Sequence, residues 1–377
     1  MVTYDVLVVG YGPVGAVLAA RLGALGVHTL VVEREPAPFP LPRAVAADDE
    51  VAHLLELTAP GVTRGMLGGV EVRFADRRDA TLGTLRFPEG VGGRPGLSLF
   101  HQPTLEGALR AEVGRHPSVS VRLGAAVTAV DQDDTAVTAA LTDGSAVRAR
   151  WVVGCDGASS TVRRAAGIGW RGRDLPRPWL VVDVEGEVAA RRGFTYTCDP
   201  ALPHVDMPVP GGHRWEWLLG GGPPPDVRGL LARDVDPDQV TLVRAVTYRF
   251  GARRAATWRS GRVLLAGDAA HTMPPFAGQG LGAGVRDAWS LAWRLAAGDP
   301  EGYQAERAPH VRAMTRLSLL VGAVLQTRSA PLAAVRDVAL RSAFTAPVLG
   351  PWLARGGPRR TDSGVWRGGS GVSAPSS

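Results

Sequence analysis

Glycines in three segments of this sequence are spaced as in sites that bind an anionic dinucleotide. The first segment, Gly10 to Gly15 (GYGPVG), follows an apolar β-branched run and opens an Ala/Leu run at helical spacing. In such a turn Gly10 bends the chain, Gly12 lets the backbone approach a pyrophosphate, and Gly15 lets helix and strand pack closely. The helix N-terminus adds partial positive charge, and Glu33, ending the next predicted strand, can accept hydrogen bonds from a ribose. Because Glu33 is acidic, it favours an unphosphorylated ribose and so predicts FAD or NAD rather than NADP.

Two later segments favour a flavin dinucleotide. Residues 151 to 163 form a predicted strand that ends in Cys155-Asp156-Gly157 and restarts as a helix. Residues 267 to 282 place Asp268 directly after a strand, where a carboxylate can bind a hydroxyl of the cofactor, and they place glycines at a helix start. Each segment alone also fits an ordinary strand-to-helix connection. Their order after the first motif favours one shared site.

The elements that must position these motifs follow from apolar periodicity and from Gly/Pro breaks. Strands are predicted at Tyr4 to Val9, His28 to Val32, Val119 to Val130, Ala136 to Leu141, Ala146 to Val153 and Val263 to Ala266, with Asp143-Gly144 as a hairpin turn. Helices are predicted at Val14 to Leu25, Ala47 to Leu57, Pro103 to Val113 and Gly284 to Ala297, and the chain from Tyr303 to about Leu353 is predicted to be helical.

Nucleotide-binding patterns at both ends of the chain, with β material between them, predict an α/β fold (α+β overall) with a discontinuous cofactor domain. We assign the Rossmann-like FAD-binding domain to 1–69, 101–169 and 251–300, and the inserted β-sheet substrate domain to 170–250, joined by the β segment 70–100. Residues 301–356 are predicted C-terminal helices and 357–377 a disordered tail.

Composition excludes several classes of function. The sequence has no Lys, so Schiff-base and Walker-type lysines are absent, and its two cysteines suit neither a disulfide framework nor a metal site. The net charge of +6 comes from scattered arginines without a basic stripe, which argues against nucleic-acid binding. Apolar runs fall short of a membrane span, and no basic leader precedes the first strand. We expect a cytoplasmic monomer or homodimer without a metal.

The chain resembles the FAD-dependent aromatic-ring hydroxylases, the class A flavoprotein monooxygenases. The resemblance rests on the three motifs, the second with Arg163 and the third with Pro274-Pro275. Further segments are similar to the 3-(3-hydroxyphenyl)propionate hydroxylase-like branch: Glu33-Arg34, Pro42-Arg43-Ala44-Val45, Phe100-His101-Gln102-Pro103, Cys198-Asp199-Pro200, and Tyr303 with Glu306-Arg307 and Pro309-His310. The last motif position, often Asn in this family, is Gly282 here.

The resemblance implies a monooxygenase in which NADH or NADPH, as transient reductant, reduces FAD. O2 then forms a flavin C4a-hydroperoxide that hydroxylates a phenolic or polyketide-like aromatic. It implies FAD contacts from Gly10, Gly12, Pro13, Val14, Gly15, Glu33, Arg34, Arg43, Gln102, Asp156, Gly157, Arg163, Gly267, Asp268, Gly278, Gly280, Leu281 and Gly282.

Candidate residues for the chemistry are fewer. His271 is a candidate for proton transfer, Pro275 for shaping the ring pocket and Arg43 for positioning the flavin and meeting the nicotinamide. Tyr196, Trp215 and Trp217 are candidates for an aromatic substrate cavity, or else core residues. The alternatives are an epoxidase, a Baeyer-Villiger-type oxygenase or an oxidase on the same fold, or a non-catalytic flavin-binding partner protein.

Overall fold

The structure is a computed structural model and describes residues 3–186, 188, 193–220 and 226–354. The tail predicted for 357–377 and most of the Gly/Pro loop at 220–225 lie outside the described residues.

Strands and short helices alternate along the first part of the chain, and long helices occupy its last part. The strands are β1 (Thr3–Val9), β2 (Thr29–Glu33), β3 (Ala46–Asp48), β4 (Leu67–Gly68), β5 (Val72–Ala75), β6 (Thr81–Leu85), β7 (Leu97–Leu99), β8 (Val119–Leu123), β9 (Val127–Gln132), β10 (Val137–Leu141), β11 (Ala146–Gly154), β12 (Trp170–Asp174), β13 (Trp179–Glu185), β14 (Phe194–Thr197), β15 (His204–Val209), β16 (Gly212–Leu218), β17 (Thr241–Tyr248), β18 (Gly251–Ala255), β19 (Arg259–Ser260), β20 (Val263–Leu265) and β21 (His271–Thr272). The helices are α1 (Pro13–Ala24), α2 (Asp49–Thr58), α3 (Gln102–Val113), α4 (Thr161–Ala165), α5 (Val227–Leu231), α6 (Gly280–Ala296), α7 (Tyr303–Leu325), α8 (Ala330–Thr345) and α9 (Leu349–Ala354).

The larger sheet carries the cofactor motifs. Its main path runs β19-β20-β11-β1-β2-β8, with parallel pairing of β1 to both β2 and β11, and of β11 to β20. These strands are nearly continuous apolar runs because helices cover them, as in other parallel sheets. The three glycine motifs follow β1, β11 and β20, so the carboxyl ends of these strands bring segments distant in sequence to one edge.

A second sheet stands beside the first and has the order β17-β13-β16-β15-β14-β5-β6. Its strands come from residues 179–248 together with β5 and β6, and β5 pairs parallel with β14. The predicted fold class is therefore confirmed: a Rossmann-like domain, discontinuous in sequence, holds an inserted β-sheet, and helices follow at the C-terminal side.

One predicted strand was wrong. Residues 119 to 130 form two strands, because Gly124 between them adopts a left-handed backbone (φ +72°) that breaks the run. The first half, β8, pairs parallel with β2, and the second half, β9, turns away to pair antiparallel with β10. In the described part of the chain no single helix is long and apolar enough to cross a membrane, and α7 and α8 meet that criterion only as a pair bent by 120°.

Candidate cofactor site and adjoining cavity

A cavity of ≈ 710 Å³ opens at the edge where the three motifs meet. This volume is within the range of small-molecule sites. Of the predicted cofactor residues, the cavity is lined by Gly10, Gly12, Pro13, Val14, Glu33, Arg34, Arg43, Gln102, Asp156, Gly157, Asp268, Gly280 and Leu281. Residues drawn from all three parts of the Rossmann-like domain therefore share one elongated site.

The first turn has the close approaches that its glycines predict. Gly10 has φ +100°, and a Cβ there would lie 2.5 Å from the carbonyl oxygen of Cys155. A Cβ on Gly15 would lie 2.0 Å from the carbonyl oxygen of Gly10, so Gly15 faces the turn and not the cavity. A Cβ on Gly12 would meet no atom within 4 Å. The space above Gly12, at the N-terminus of α1, is thus open to a ligand.

Glu33 lines the cavity beside the first glycine turn and is held by two hydrogen bonds. Its carboxylate accepts hydrogen bonds from the backbone N–H of Tyr11 (2.6 Å) and of Glu35 (3.0 Å). A carboxylate offers about four lone-pair positions. Capacity remains to accept from ribose hydroxyls, so the residues beside this turn fit the adenosine portion of FAD.

Asp156 both lines the cavity and caps α4, accepting from the backbone N–H groups of Thr161 (2.7 Å) and Val162 (3.1 Å). Arg163 does not line the cavity. Its buried guanidinium donates to the carbonyl oxygens of Ala158 and Ala269, joining the second motif to the third. We therefore infer an indirect role for Arg163, which fixes the spacing between two cofactor-binding segments.

The loop that carries Arg43 is tied from two sides. The side-chain oxygen of Gln102 accepts from the backbone N–H groups of Arg43 (3.1 Å) and Ala44 (2.6 Å). From the other sheet, Arg214 donates to the carbonyl oxygens of Pro42 and Arg43, each at 2.8 Å. The Arg43 guanidinium lies over the ring of Phe39 at 4.3 Å. These contacts hold Arg43 in the wall that this cavity shares with a smaller cavity beside it.

His271 lies in a buried ion-pair network behind the third motif. Its Nε2 is 2.6 Å from the carboxylate of Asp287, which also accepts from Arg307 (3.0 Å) and from the backbone N–H of Gly267 (3.1 Å). Burial raises the pKa of Asp287, but His271 and Arg307 outweigh it and hold that pKa below its ordinary value. Because His271 is 2% exposed and lines neither cavity, the structure does not bring it to the site predicted for it.

Asp268 is the carboxyl that faces the ligand space from this motif, and it lines both cavities. Although Asp268 is exposed to the ligand space, desolvation by the surrounding protein raises its pKa, while the nearby charges of His271 and Arg43 act in the opposite direction. Gly267 and Gly282 line neither cavity. A Cβ on Gly282 would lie 2.9 Å from a methyl group of Val51, so the Asn common in the family would require this side chain to shift.

A second cavity of ≈ 260 Å³ adjoins the first and shares Arg43, Ala44, Asp268, Gly280 and Leu281 with it. Most of its other walls are apolar: Val45, Ala46, Phe194, Tyr196, Val205, Met207, Phe250, Met273, Pro275, Phe276 and Gly278. Its remaining polar side chains are Arg214 and Glu216. The arrangement places a compact apolar chamber at one end of the cofactor site.

Tyr196 and Pro275 lie in the wall of this chamber. The Tyr196 hydroxyl donates to the carbonyl oxygen of Phe276 at 2.5 Å and so ties β14 to the short 3-10 turn Pro275–Ala277. The Ser318 hydroxyl of α7 donates to the carbonyl oxygen of Pro274 at 2.5 Å, which fixes the turn from the other side. Strand β14 and helix α7 therefore both fix this turn in the chamber wall.

Trp215 and Trp217 do not line the chamber. Successive residues of β16 face opposite sides of the sheet, and both indoles point away from the chamber into a separate core with Leu180, Val182 and Leu231. They are almost fully buried there. The structure thus assigns them to packing, the other of the two roles predicted.

The prediction from sequence missed the charged residues that face the chamber side of this sheet. Asp183 of β13 stands between Arg244 of β17 and Arg214 of β16 in the strand register, and it accepts from both guanidinium groups. Glu216 follows on the same face. Charged and aromatic residues alternate along His213 to Trp217, and this alternation indicates that the charged residues share one face of the strand. The prediction from sequence chose the aromatic residues of the other face.

The fold and the site define a flavin dinucleotide-binding protein with a second, mainly apolar ligand chamber. Comparison with known proteins agrees. Residues 3–199 and 226–318 match the FAD binding domain family, and the chain belongs to this family.

Relatives and solved structures cover most of the chain. The chain is 35% identical over 369 residues to a 3-(3-hydroxy-phenyl)propionate/3-hydroxycinnamic acid hydroxylase of Mycobacterium sp. (strain JLS), covering 92% of this chain and 64% of the relative. It is 38% identical to a probable NADH-specific resorcinol 4-hydroxylase of Rhodococcus jostii (strain RHA1), covering 90% and 69%. The crystal structure of a p-nitrophenol 4-monooxygenase from Pseudomonas putida DLL-E4 superposes with a TM-score of 0.84 at 26% identity, covering 94% of this chain and 97% of that one. The chain thus spans just under two thirds of the length of the mycobacterial relative.

Proposed function

We propose that this protein is an FAD-dependent monooxygenase that consumes NADH or NADPH and O2 and hydroxylates an electron-rich aromatic ring. The observation that carries the proposal is the shared wall of the two cavities. A chamber large enough for one small aromatic molecule opens onto the cofactor site at the α6 N-terminus. The named relatives act on phenolic aromatics, which supports the same class of substrate here.

The residues at this wall suit the chemistry that FAD would supply, namely acceptance of a hydride from a nicotinamide and transfer of one oxygen atom from O2. Backbone N–H groups of Gly280 and Leu281, at the positive end of α6, would stabilise negative charge on a bound ring system. Asp268 lines both cavities and is therefore placed at their junction to exchange a proton with a bound ligand.

The apolar chamber has a separate task. Its walls, among them Phe250, Met273 and Phe276, exclude water from the space where the aromatic ring would lie. The hydrogen bonds of Tyr196 and Ser318 to the Pro275–Ala277 turn keep that space open at a fixed shape. The chain's own residues therefore bind, orient and desolvate the substrate.

The test is an absorbance spectrum of the purified protein, followed anaerobically on adding NADH or NADPH with a panel of phenols, and then a product mass in air. Flavin bands that bleach faster with one phenol, and a product heavier by one oxygen atom, are expected. A protein that FAD cannot reconstitute contradicts the proposal. Flavin that no nicotinamide reduces favours the non-catalytic partner protein, and hydrogen peroxide without a new product favours an oxidase.

A further inference from the structure

A carboxyl side chain with no hydrogen bond stands in the wall of the apolar chamber. Glu216, on β16, is 8% exposed, and its nearest opposite charge is the Arg214 guanidinium at 3.9 Å, beyond hydrogen-bond distance. Among the residues that the structure describes, none donates a hydrogen bond to it. Burial raises the pKa of Glu216, against the opposing effect of Arg214. Glu216 lines the chamber, so a ligand there can supply the donor that the described part of the protein does not.

Arg214 cannot meet a carboxylate ligand in the usual two-pronged way. Its Nε and one Nη donate to Asp183 (2.6 and 3.2 Å), and its two Nη atoms donate to the carbonyl oxygens of Pro42 and Arg43. Four of the five N–H groups of the guanidinium are thereby used. A bidentate pair needs two parallel free N–H groups, and Arg214 has one.

The chamber wall carries two carboxyl groups and two arginines. Asp268 is the second carboxyl, so a carboxylate bound beside Glu216 would lie near two acidic groups. Burying a charge without a compensating partner costs far more than burying a hydroxyl that donates one hydrogen bond. Arg43 also lines the chamber, but its guanidinium lies over Phe39 of the cofactor cavity, on the side where the anionic cofactor would bind.

We propose that Glu216 determines specificity by accepting a hydrogen bond from a hydroxyl or amino group of an uncharged aromatic substrate, and that the chamber discriminates against aromatic carboxylates. The proposal rests on the function proposed above and narrows its substrate class. It predicts that this chain prefers resorcinol-type ligands, as in the name of one relative, to the propionate or cinnamic acid ligands in the names of others. A hydroxyl or amino donor pairs with the Glu216 carboxyl, whereas a ligand carboxylate brings further negative charge beside it without a bidentate arginine to compensate.

The experiment is calorimetric titration of the FAD-loaded protein with two ligands, resorcinol and 3-(3-hydroxyphenyl)propionate, without any reductant. The wild-type protein is expected to bind resorcinol at least about tenfold more tightly, the size of effect that one hydrogen bond to a buried charged group produces. In Glu216→Gln the ratio of the two dissociation constants is expected to move toward the propionate by about tenfold. The matched control is Glu185→Gln, which changes the same group at an exposed end of the neighbouring strand β13 and should leave the ratio unchanged.

Equal or tighter binding of the propionate by the wild-type protein overturns the proposal, and so does failure of resorcinol to bind. The same holds for an unchanged ratio in Glu216→Gln when its FAD affinity and circular dichroism match the wild type. The wild-type comparison needs no variant, so a variant that misfolds does not remove the test. Since the titration requires no turnover, a protein that binds as expected but forms no hydroxylated product contradicts the proposed function and leaves the assignment of Glu216 intact.

Discussion

Gly12 and Gly15 belong to the same turn, yet alanine at each is expected to affect different properties. The backbone of Gly12 (φ −70°, ψ −175°) is open to any residue, and a Cβ there meets no atom within 4 Å. A Cβ on Gly15 would lie 2.0 Å from the backbone oxygen of Gly10. Gly12→Ala therefore adds a methyl group to ligand space alone, whereas Gly15→Ala forces α1 away from the turn.

The magnitudes follow from these contacts. Without FAD, Gly12→Ala should leave the free energy of unfolding unchanged or raise it by about 0.4–1 kcal/mol, because alanine restricts the unfolded chain. Gly15→Ala should lower it by about 1–3 kcal/mol, as for an overpacked core. A methyl group at the α1 N-terminus blocks the approach of a pyrophosphate, and we expect at least tenfold weaker FAD binding, about 1.4 kcal/mol.

Urea unfolding with and without FAD separates the two effects. At an FAD concentration of about 100 times the wild-type Kd, bound cofactor stabilises the wild type by about 2.7 kcal/mol, and a tenfold weaker Kd reduces that increment to about 1.4 kcal/mol. Gly12→Ala should show the reduced increment on an undiminished baseline. An increment equal to that of the wild type, or a baseline as low as that of Gly15→Ala, would refute the argument that the space above Gly12 belongs to the cofactor.

Three further predictions concern the surroundings of the site. Burial and the charges of two arginines lower the pKa of His310 from 6.5 to about 3, so on acidification His310 gains a proton in the unfolded chain before it does in the folded chain. Between pH 7 and pH 5 this difference should lower the free energy of unfolding by about 2 kcal/mol. Urea titrations at the two pH values should show this loss in the wild type and not in His310→Gln. Asp287→Asn removes the carboxylate that pairs with the buried Arg307 and should cost about 3–5 kcal/mol of unfolding free energy, whereas a loss below about 1 kcal/mol would show that this ion pair does not stabilise the fold. Tyr196→Phe leaves the carbonyl oxygen of Phe276 without this donor and should lower the free energy of unfolding by about 1–3 kcal/mol, with weaker phenol binding in calorimetry. Unchanged phenol binding would show that the Pro275–Ala277 turn does not shape the chamber.

The parts of the fold that sequence could predict are those fixed by local periodicity. Strand β1, helix α1 and strand β2 are long, apolar and separated by glycine, and their predicted bounds agree with the structure to within about two residues. The run from 119 to 130 failed because apolar alternation continues through Gly124. Only the pairing of β8 with β2 and of β9 with β10 reveals that the chain changes direction there, and such pairing is a tertiary property.

The site divides in the same way. Motif glycines and Glu33 could be predicted because turn geometry and the helix N-terminus set their spacing within a short stretch. Glu216 and Arg214 could not, because their side chains reach the chamber only through the register of β16 against β13. His271 was misplaced for a related reason: its partner Asp287 lies on a different element, and no local pattern indicates that the two meet in the interior.

The parallel pairing of β1 with β11 and of β11 with β20 also makes the cofactor cavity depend on long-range folding. Its walls combine Gly10, which follows β1, with Leu281 at the start of α6. Contacts between such distant segments close long loops and form late in folding. We therefore expect the chain to retain FAD only after β1, β11, β20 and α6 have packed together.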